Sequence, residues 1–172
     1  LEQGDYDQLR IRSGVAATMA SKDEAAINNS ERDGWVVVHG TATGFAQEIS
    51  VGVHRLRSDE PTVAGGTNTG PTPYDLLVAG LGSCTSMTVA MYARRKEWPL
   101  EAVTIRLRHS KVHAEDCTDC ETKEGMLDRI EREIVLSGSL SEDQASRLLE
   151  IANRCPVHRT LTSEIKIDSR LA

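Results

Sequence analysis

The sequence predicts an α+β domain in which a mainly antiparallel sheet packs around one long, buried central helix. Three observations support this prediction. Segments with alternating apolar and polar residues occur on both sides of the longest helical segment. That helical segment is apolar on nearly every side, as expected for a helix inside a core. The order of elements (strands, long helix, two strands, helix, strand) is typical of α+β proteins, and the 172 residues suffice for one ordinary core.

The domain is expected to span residues 34–172. Residues 1–33 are polar and show no clear apolar stripe, so we expect them to form a flexible or weakly helical extension. The alternative is an ordered arm that packs on a partner subunit.

Strand-forming residues begin at Trp35. Two segments are rich in β-branched residues, WVVVHGT and FAQEISVGVHRLRSDEP, and a turn at residues 40–44 predicts that they form a β-hairpin. The Gly-, Pro- and Thr-rich loop PTVAGGTNTGPTP follows.

The long helix is predicted to begin after this loop and to run for roughly 24 residues. Thr72 is suited to the N-cap, Pro73 to the first helical position and Asp75 to the capping acid, while Pro99 ends the segment. One helical face combines Leu77, Gly80, Leu81, Cys84, Met87, Thr88 and Met91. The opposite positions are hardly more polar, so the helix is predicted to be central and buried.

Two strands and a second helix are predicted next. EAVTIRLRHSKVHAED alternates between apolar and polar residues, and DRIEREIVLSGSL supplies the following strand. SEDQASRLLEIANRC opens with a capping box formed by Ser141 and Gln144, and it places Cys155 in the last turn of a helix that Pro156 ends. SEIKID alternates again and predicts a final strand.

Composition excludes some classes of function. A net charge of −6 with two Trp, three Tyr and one Phe offers neither a basic surface for phosphates nor many stacking platforms, so we expect no nucleic-acid partner. We expect no membrane span, because no run of about 18 apolar residues is present. The N-terminus shows no basic segment followed by an apolar one, so a cytoplasmic location is expected.

Cys84 and Cys155 are the first candidates for chemistry. A buried cysteine commonly acts as a small apolar core residue. However, Gly80 and Gly82 flank Cys84 inside a helix, where glycine is costly, and this indicates a close approach by another group. If the two helices pack by their apolar faces, the thiols meet, either as an attacking and a resolving thiol or as two inert core residues.

His113, Cys117 and Cys120 have the spacing of a metal half-site. Alternatively, the CxxC pair is a surface redox or incidental pair, or two plain structural thiols. A closed zinc site would need further ligands from His109, His158, Asp116 or a second subunit. Arginines that could stabilise a thiolate are Arg55, Arg57, Arg154 and Arg159.

The sequence resembles the OsmC/Ohr family of thiol peroxidases. The resemblance covers the chain from about Trp35 to its C-terminus. The resemblance rests on the two segments that contain the cysteines, GPTPYDLLVAGLGSCTSMTVAMYARRKEWPL and CPVHRTL. Within the family, the segment HAEDCTDCETKEG is similar to that of the OsmC-like branch. The resemblance implies an intertwined α+β homodimer with both cysteines near the subunit interface.

The resemblance also implies an activity, the reduction of organic hydroperoxides in oxidative stress defence. By position, Cys84 would attack the peroxide and Cys155 would resolve the sulfenic acid, with a dithiol as reductant and no metal or organic cofactor. The family supplies an Arg from an early strand, for which Arg55 is the better match and Arg57 the next. A Glu at the start of the cysteine helix holds that Arg in the family, whereas this sequence has Tyr74 there and Asp75 one residue later. The rival interpretation is a non-enzymatic OsmC-like protein that binds an apolar ligand or zinc.

Overall fold

A computed structural model describes residues 34–118 and 121–171. The described residues divide into two compact units, residues 34–73 and residues 74–171. Both contain antiparallel strands, and the second also contains helices, so the predicted α+β class is confirmed. The prediction made for residues 1–33 lies outside the described residues.

The first unit is a three-stranded antiparallel sheet in the order β1-β2-β3. Its strands are β1 (Val36–Gly40), β2 (Gln47–Val51) and β3 (His54–Ser58). The sequence predicted one hairpin, but its second segment forms two strands. Val51 pairs with His54, which leaves a two-residue turn, and Gly52 adopts the positive φ of +54° that such a turn requires.

The loop after β3 is organised around the buried carboxylate of Asp59. Its Oδ2 accepts hydrogen bonds from the backbone N–H and the hydroxyl of both Thr67 and Thr69, at 2.6 to 3.1 Å. Its Oδ1 accepts a hydrogen bond from the N–H of Glu60 at 2.8 Å. These bonds, led by that from Thr67, hold the pKa of Asp59 far below its usual range although burial raises it. The loop that the sequence identified as Gly- and Thr-rich is therefore fixed by one buried acid.

The second unit combines one hairpin with three helices. Helix α1 (Pro73–Arg95) leads into β4 (Leu100–His113), which pairs antiparallel with β5 (Met126–Gly138). Helices α2 (Glu142–Ala152) and α3 (Pro156–Leu161) follow. The predicted long helix and both strands are confirmed, and Ser141 and Gln144 form the predicted capping box.

The core of this unit lies where α1 meets α2. Its buried members are Val89 and Ala93 on α1 with Leu148 and Ala152 on α2. Gly82 lies so close to the hairpin that a Cβ there would come within 2.7 Å of Leu107 Cδ1. This contact is the close approach that glycine in the helix interior indicated.

Helix α1 is buried along one side only. Its buried residues form one stripe: Val78, Leu81, Gly82, Thr85, Val89 and Ala93. On the face that the sequence favoured, Met87 and Met91 are 70% and 60% exposed in the single chain. By length and composition alone α1 is also apolar enough to cross a membrane, a test that core helices pass as well.

The predicted final strand is wrong. Residues 163–168 (SEIKID) form neither helix nor strand, and Ile165 and Ile167 are 53% and 83% exposed. Alternation alone does not make a strand, because a strand also needs a neighbour for its backbone hydrogen bonds. Within the described ranges no strand pairs with this segment.

Candidate active site

Cys155 lies between α2 and α3, not in the last turn of α2 as predicted. Helix α2 ends at Ala152 with Asn153 as C-cap, and Pro156 begins α3. Proline suits the first position of a helix because the N–H there has no intrahelical partner. Cys155 is the N-cap of α3, and its Sγ accepts a hydrogen bond from the His158 N–H at 3.3 Å.

The structure brings the two candidate thiols together. Cys84 and Cys155 are both free, and the Cys84 side chain lies near enough to the Cys155 thiol to lower its pKa. Cys84, on α1, is partly exposed, whereas Cys155 is completely buried, with 0% of its surface exposed. Solvent therefore reaches one thiol of the pair and not the other.

Thr85, the residue after Cys84, connects this pair to the rest of the site. Its buried hydroxyl donates to the carbonyl of Leu81 at 2.8 Å and lies 3.5 Å from Cys155 Sγ. The same oxygen accepts a hydrogen bond from Nη1 of Arg132 at 2.9 Å. Donation from a cation polarises the hydroxyl and makes it a better donor toward a neighbouring thiolate.

Arg132 reaches this cluster from β5. Besides Thr85, its guanidinium donates to the Ala152 carbonyl at 3.4 Å and to Asn153 Oδ1 at 2.6 Å. Every hydrogen-bond acceptor that Arg132 has among the described residues is therefore neutral. Neighbouring arginines of the hairpin form ion pairs instead, Arg108 and Arg129 both with Glu131.

These groups act together on the Cys155 thiol. Burial raises the pKa of Cys155, but interactions with Thr85, the His158 N–H and Cys84, together with the positive charge of Arg132, lower it below its ordinary value. The pKa of the His158 imidazole is lowered by burial and by the charge of Arg132. Compared with ordinary residues of their types, Cys155 therefore ionises more readily to the thiolate and His158 takes up a proton less readily.

A groove of about 440 Å³ borders Arg132 and His158. Its apolar lining residues are Leu81, Ile130, Ile134, Leu149 and Leu161. Its polar ones are Asp128, Arg132, Asn153, His158 and Thr162. The volume and mixed lining suit a small organic molecule with an apolar body and a few polar atoms.

Tyr74, at the start of α1, is engaged with the hairpin. Its ring stacks on that of His109, with centroids 4.1 Å apart and planes 6° from parallel. His109 Nε2 lies 2.8 Å from Asp128 Oδ1, and Lys111 Nζ lies 3.1 Å from the same oxygen. The hydrogen bond to His109, followed by that to Lys111, lowers the pKa of Asp128.

Two other predicted arginines have contacts within the first unit. Arg55 belongs to β3 in the first unit, where its Nη1 donates to the carbonyls of Gly52 at 2.7 Å and His54 at 3.1 Å. Its predicted role toward the thiols stays a prediction. Arg57 forms a long, exposed ion pair with Glu48 at 3.9 Å.

The CxxC segment gives no support to a metal site. Cys117 is disulfide-bonded, and Cys120 lies outside the described residues. Within residues 34–118 and 121–171, no group of three or more His, Cys, Asp or Glu side chains is arranged to hold a metal ion.

The sequence model of the family described as OsmC-like protein matches residues 66–170, more than half of the chain. The chain belongs to the OsmC-like family. A search of curated proteins gives no significant match.

Solved structures of OsmC-like proteins share the fold. An OsmC-like protein from Mycoplasma pneumoniae is 18% identical, with a TM-score of 0.58 over 76% of this chain and 88% of that one. An organic hydroperoxide resistance protein OsmC from Legionella pneumophila is 21% identical, with a TM-score of 0.55 over 74% and 88%. The organic hydroperoxide resistance protein OhrB of Bacillus subtilis is 21% identical, with a TM-score of 0.52 over 74% and 89%.

Sequence reasoning missed Thr85 and Arg132. A signal for Arg132 was present, because β5 alternates and residues 130, 132, 134 and 136 share one face. Ile130, Ile134 and Leu136 make that row apolar, and all four residues are half-buried. An arginine in the inward row of a strand indicates a buried polar partner.

Proposed function

We propose that this OsmC-like protein is a cysteine-based peroxidase that reduces organic hydroperoxides with a dithiol reductant, as part of oxidative stress defence. The observation that carries the proposal is the proximity of two reduced thiols of unequal exposure, with a partly apolar groove next to their neighbours Arg132 and His158. Family membership supports it, as do the names of two structural relatives described as organic hydroperoxide resistance proteins.

In the first step, the Cys84 thiolate attacks the terminal oxygen of the hydroperoxide. The O–O bond breaks, the alkoxide leaves and takes up a proton to become an alcohol, and Cys84 becomes a sulfenic acid. Partial exposure suits Cys84 to this role because the peroxide must reach its sulfur.

In the second step, the Cys155 thiolate attacks the sulfur of the sulfenic acid. An S–S bond forms, the S–O bond breaks, and hydroxide takes up a proton and leaves as water. A dithiol then reduces the disulfide by two thiol exchanges and is itself oxidised to a disulfide. Complete burial suits Cys155 to the resolving role, because a peroxide cannot reach its sulfur. Cys155 therefore stays reduced until Cys84 has become a sulfenic acid.

We also propose that the active protein is a homodimer. Met87 and Met91 of α1 and the isoleucines of residues 163–168 are exposed in a single chain, and exposed apolar side chains of this size often belong to protein interfaces. A second copy that covers these residues would bury them. Sedimentation equilibrium at micromolar concentration tests this proposal, and a monomer mass would contradict it.

Single-turnover stopped-flow kinetics with cumene hydroperoxide test the activity. We expect the wild type to consume peroxide in a fast phase that Cys84→Ser abolishes. Cys155→Ser should retain that phase and accumulate a sulfenic acid that dimedone traps on Cys84. The double variant Cys117→Ser with Cys120→Ser is the control and should react like the wild type.

Equal, slow peroxide consumption by the wild type and by Cys84→Ser would overturn the proposed activity. Retention of turnover with a dithiol in Cys155→Ser would overturn the assignment of Cys155 while leaving that of Cys84 intact.

A further inference from the structure

Arg132 is a charged residue in an otherwise apolar row, and no carboxylate among the described residues pairs with it. Its three acceptors among the described residues are a hydroxyl, a carbonyl and an amide oxygen. A half-buried guanidinium without a counter-ion is unfavourable, so a nearby group that can become an anion is stabilised as one.

Among the groups near Arg132 that can become anions, Cys155 is the best candidate. Asp128 lines the same groove, but His109 and Lys111 already pair with its carboxylate. Cys155 lies on the other side of Thr85, whose hydroxyl links the guanidinium to the sulfur. The other titratable groups that face this sulfur are Cys84 from α1 and His158 from α3.

We propose that Arg132 is a positioning residue for the second step of the cycle and that it acts through Thr85 to hold Cys155 as the attacking thiolate. This inference rests on the proposed function and adds a residue to it. Arg132 fixes Thr85 by donating to its oxygen, so the hydroxyl proton can turn toward the sulfur when Cys155 loses its own proton. The bonds from Arg132 to Ala152 and Asn153 anchor the end of α2, which lies three residues before Cys155.

Arg132→Met tests this role, because methionine retains much of the apolar stem and removes the charge. Arg129→Met is the matched control, since the exposed Arg129 lies on the same strand and pairs with the half-buried Glu131. In reduced protein labelled with [13Cβ]cysteine, NMR titration follows the ionisation of Cys155 directly. We expect Arg132→Met to raise the pKa of Cys155 and Arg129→Met to leave it unchanged.

Kinetics provide the second readout. After mixing with cumene hydroperoxide at pH 7, the sulfenic acid of Cys84 should persist about tenfold longer in Arg132→Met, as expected for the loss of one charge-assisted interaction. The rate at which peroxide is consumed in the first step should stay the same. Arg132→Lys, which retains a charge, should recover part of the loss.

An unchanged pKa of Cys155 in folded Arg132→Met would overturn the proposal. If that variant does not fold, Arg132→Gln replaces it, because glutamine removes the charge and retains an amide donor. The titration requires no peroxide, so a protein without peroxidase activity would disprove the proposed function and still give a result for Arg132.

Discussion

Replacement of Thr85 by valine removes the hydroxyl and nearly retains the shape of the side chain, so it tests the hydroxyl alone. Valine fills nearly the same volume, so it should leave no cavity in the core. It removes the acceptor of the 2.9 Å bond from Arg132, whose Nη1 would retain only the 3.4 Å contact with the Ala152 carbonyl. A buried donor left without a good partner costs about 1–3 kcal/mol. We expect the free energy of unfolding to fall by that amount in Thr85→Val.

Thr85→Ser is the matched variant, because it retains the hydroxyl and loses one methyl group. It should cost about 1 kcal/mol through lost burial. Urea unfolding measures the free energy, and [13Cβ]cysteine titration measures the thiol. The pKa of Cys155 should rise in Thr85→Val, which loses a hydrogen bond to the thiolate, and stay lowered in Thr85→Ser. Equal titration of Cys155 in the two variants would refute the network described for this site.

Three further predictions concern other residues. If Arg55 activates Cys84, Arg55→Met should slow the reaction of Cys84 with the peroxide about tenfold at pH 7, as measured by stopped flow. Arg57→Met is the control, and equal rates for the two variants would show that Arg55 does not activate Cys84. The pKa of Asp59 is lowered from 3.8, so its carboxylate stabilises the fold above that pH and loses this effect as the pH falls. Asp59→Asn should therefore destabilise the protein more at pH 7 than at pH 3, and equal losses in urea unfolding would contradict this sign. Leu148 is completely buried in the core, so Leu148→Ala should lower the free energy of unfolding by about 3–5 kcal/mol, whereas exposed Leu149→Ala should lower it by less than about 1 kcal/mol.

Local signals predicted the elements of the fold where neighbouring residues decide the conformation. Pro73 and Asp75 placed the start of α1, and Ser141 with Gln144 placed that of α2. The same signals misled where one residue permits two outcomes. Pro156 was interpreted as the end of a helix, yet it begins α3, because proline is excluded from helix interiors and favoured at first positions.

Long-range pairing was harder to predict. The alternation of residues 163–168 has the period of a strand but says nothing about whether a neighbouring strand exists. In the same way, a helical stripe placed Cys84 and Cys155 on apolar faces, and packing then brought them close together. Thr85 and Arg132 were missed because they are 47 residues apart in the chain, and only the packing of α1 on β5 joins them.

The N-cap position of Cys155 couples oxidation to the backbone that follows it. A sulfur in a disulfide carries no charge, so it is a weaker acceptor for the His158 N–H than a thiolate is. Helix α3 has only six residues and little stability of its own, so a weaker cap should let its first turn fray. His158 and Leu161 lie on that helix and also line the groove. In the proposed cycle, disulfide formation would thus loosen one wall of the groove at the stage when the dithiol must reach the disulfide.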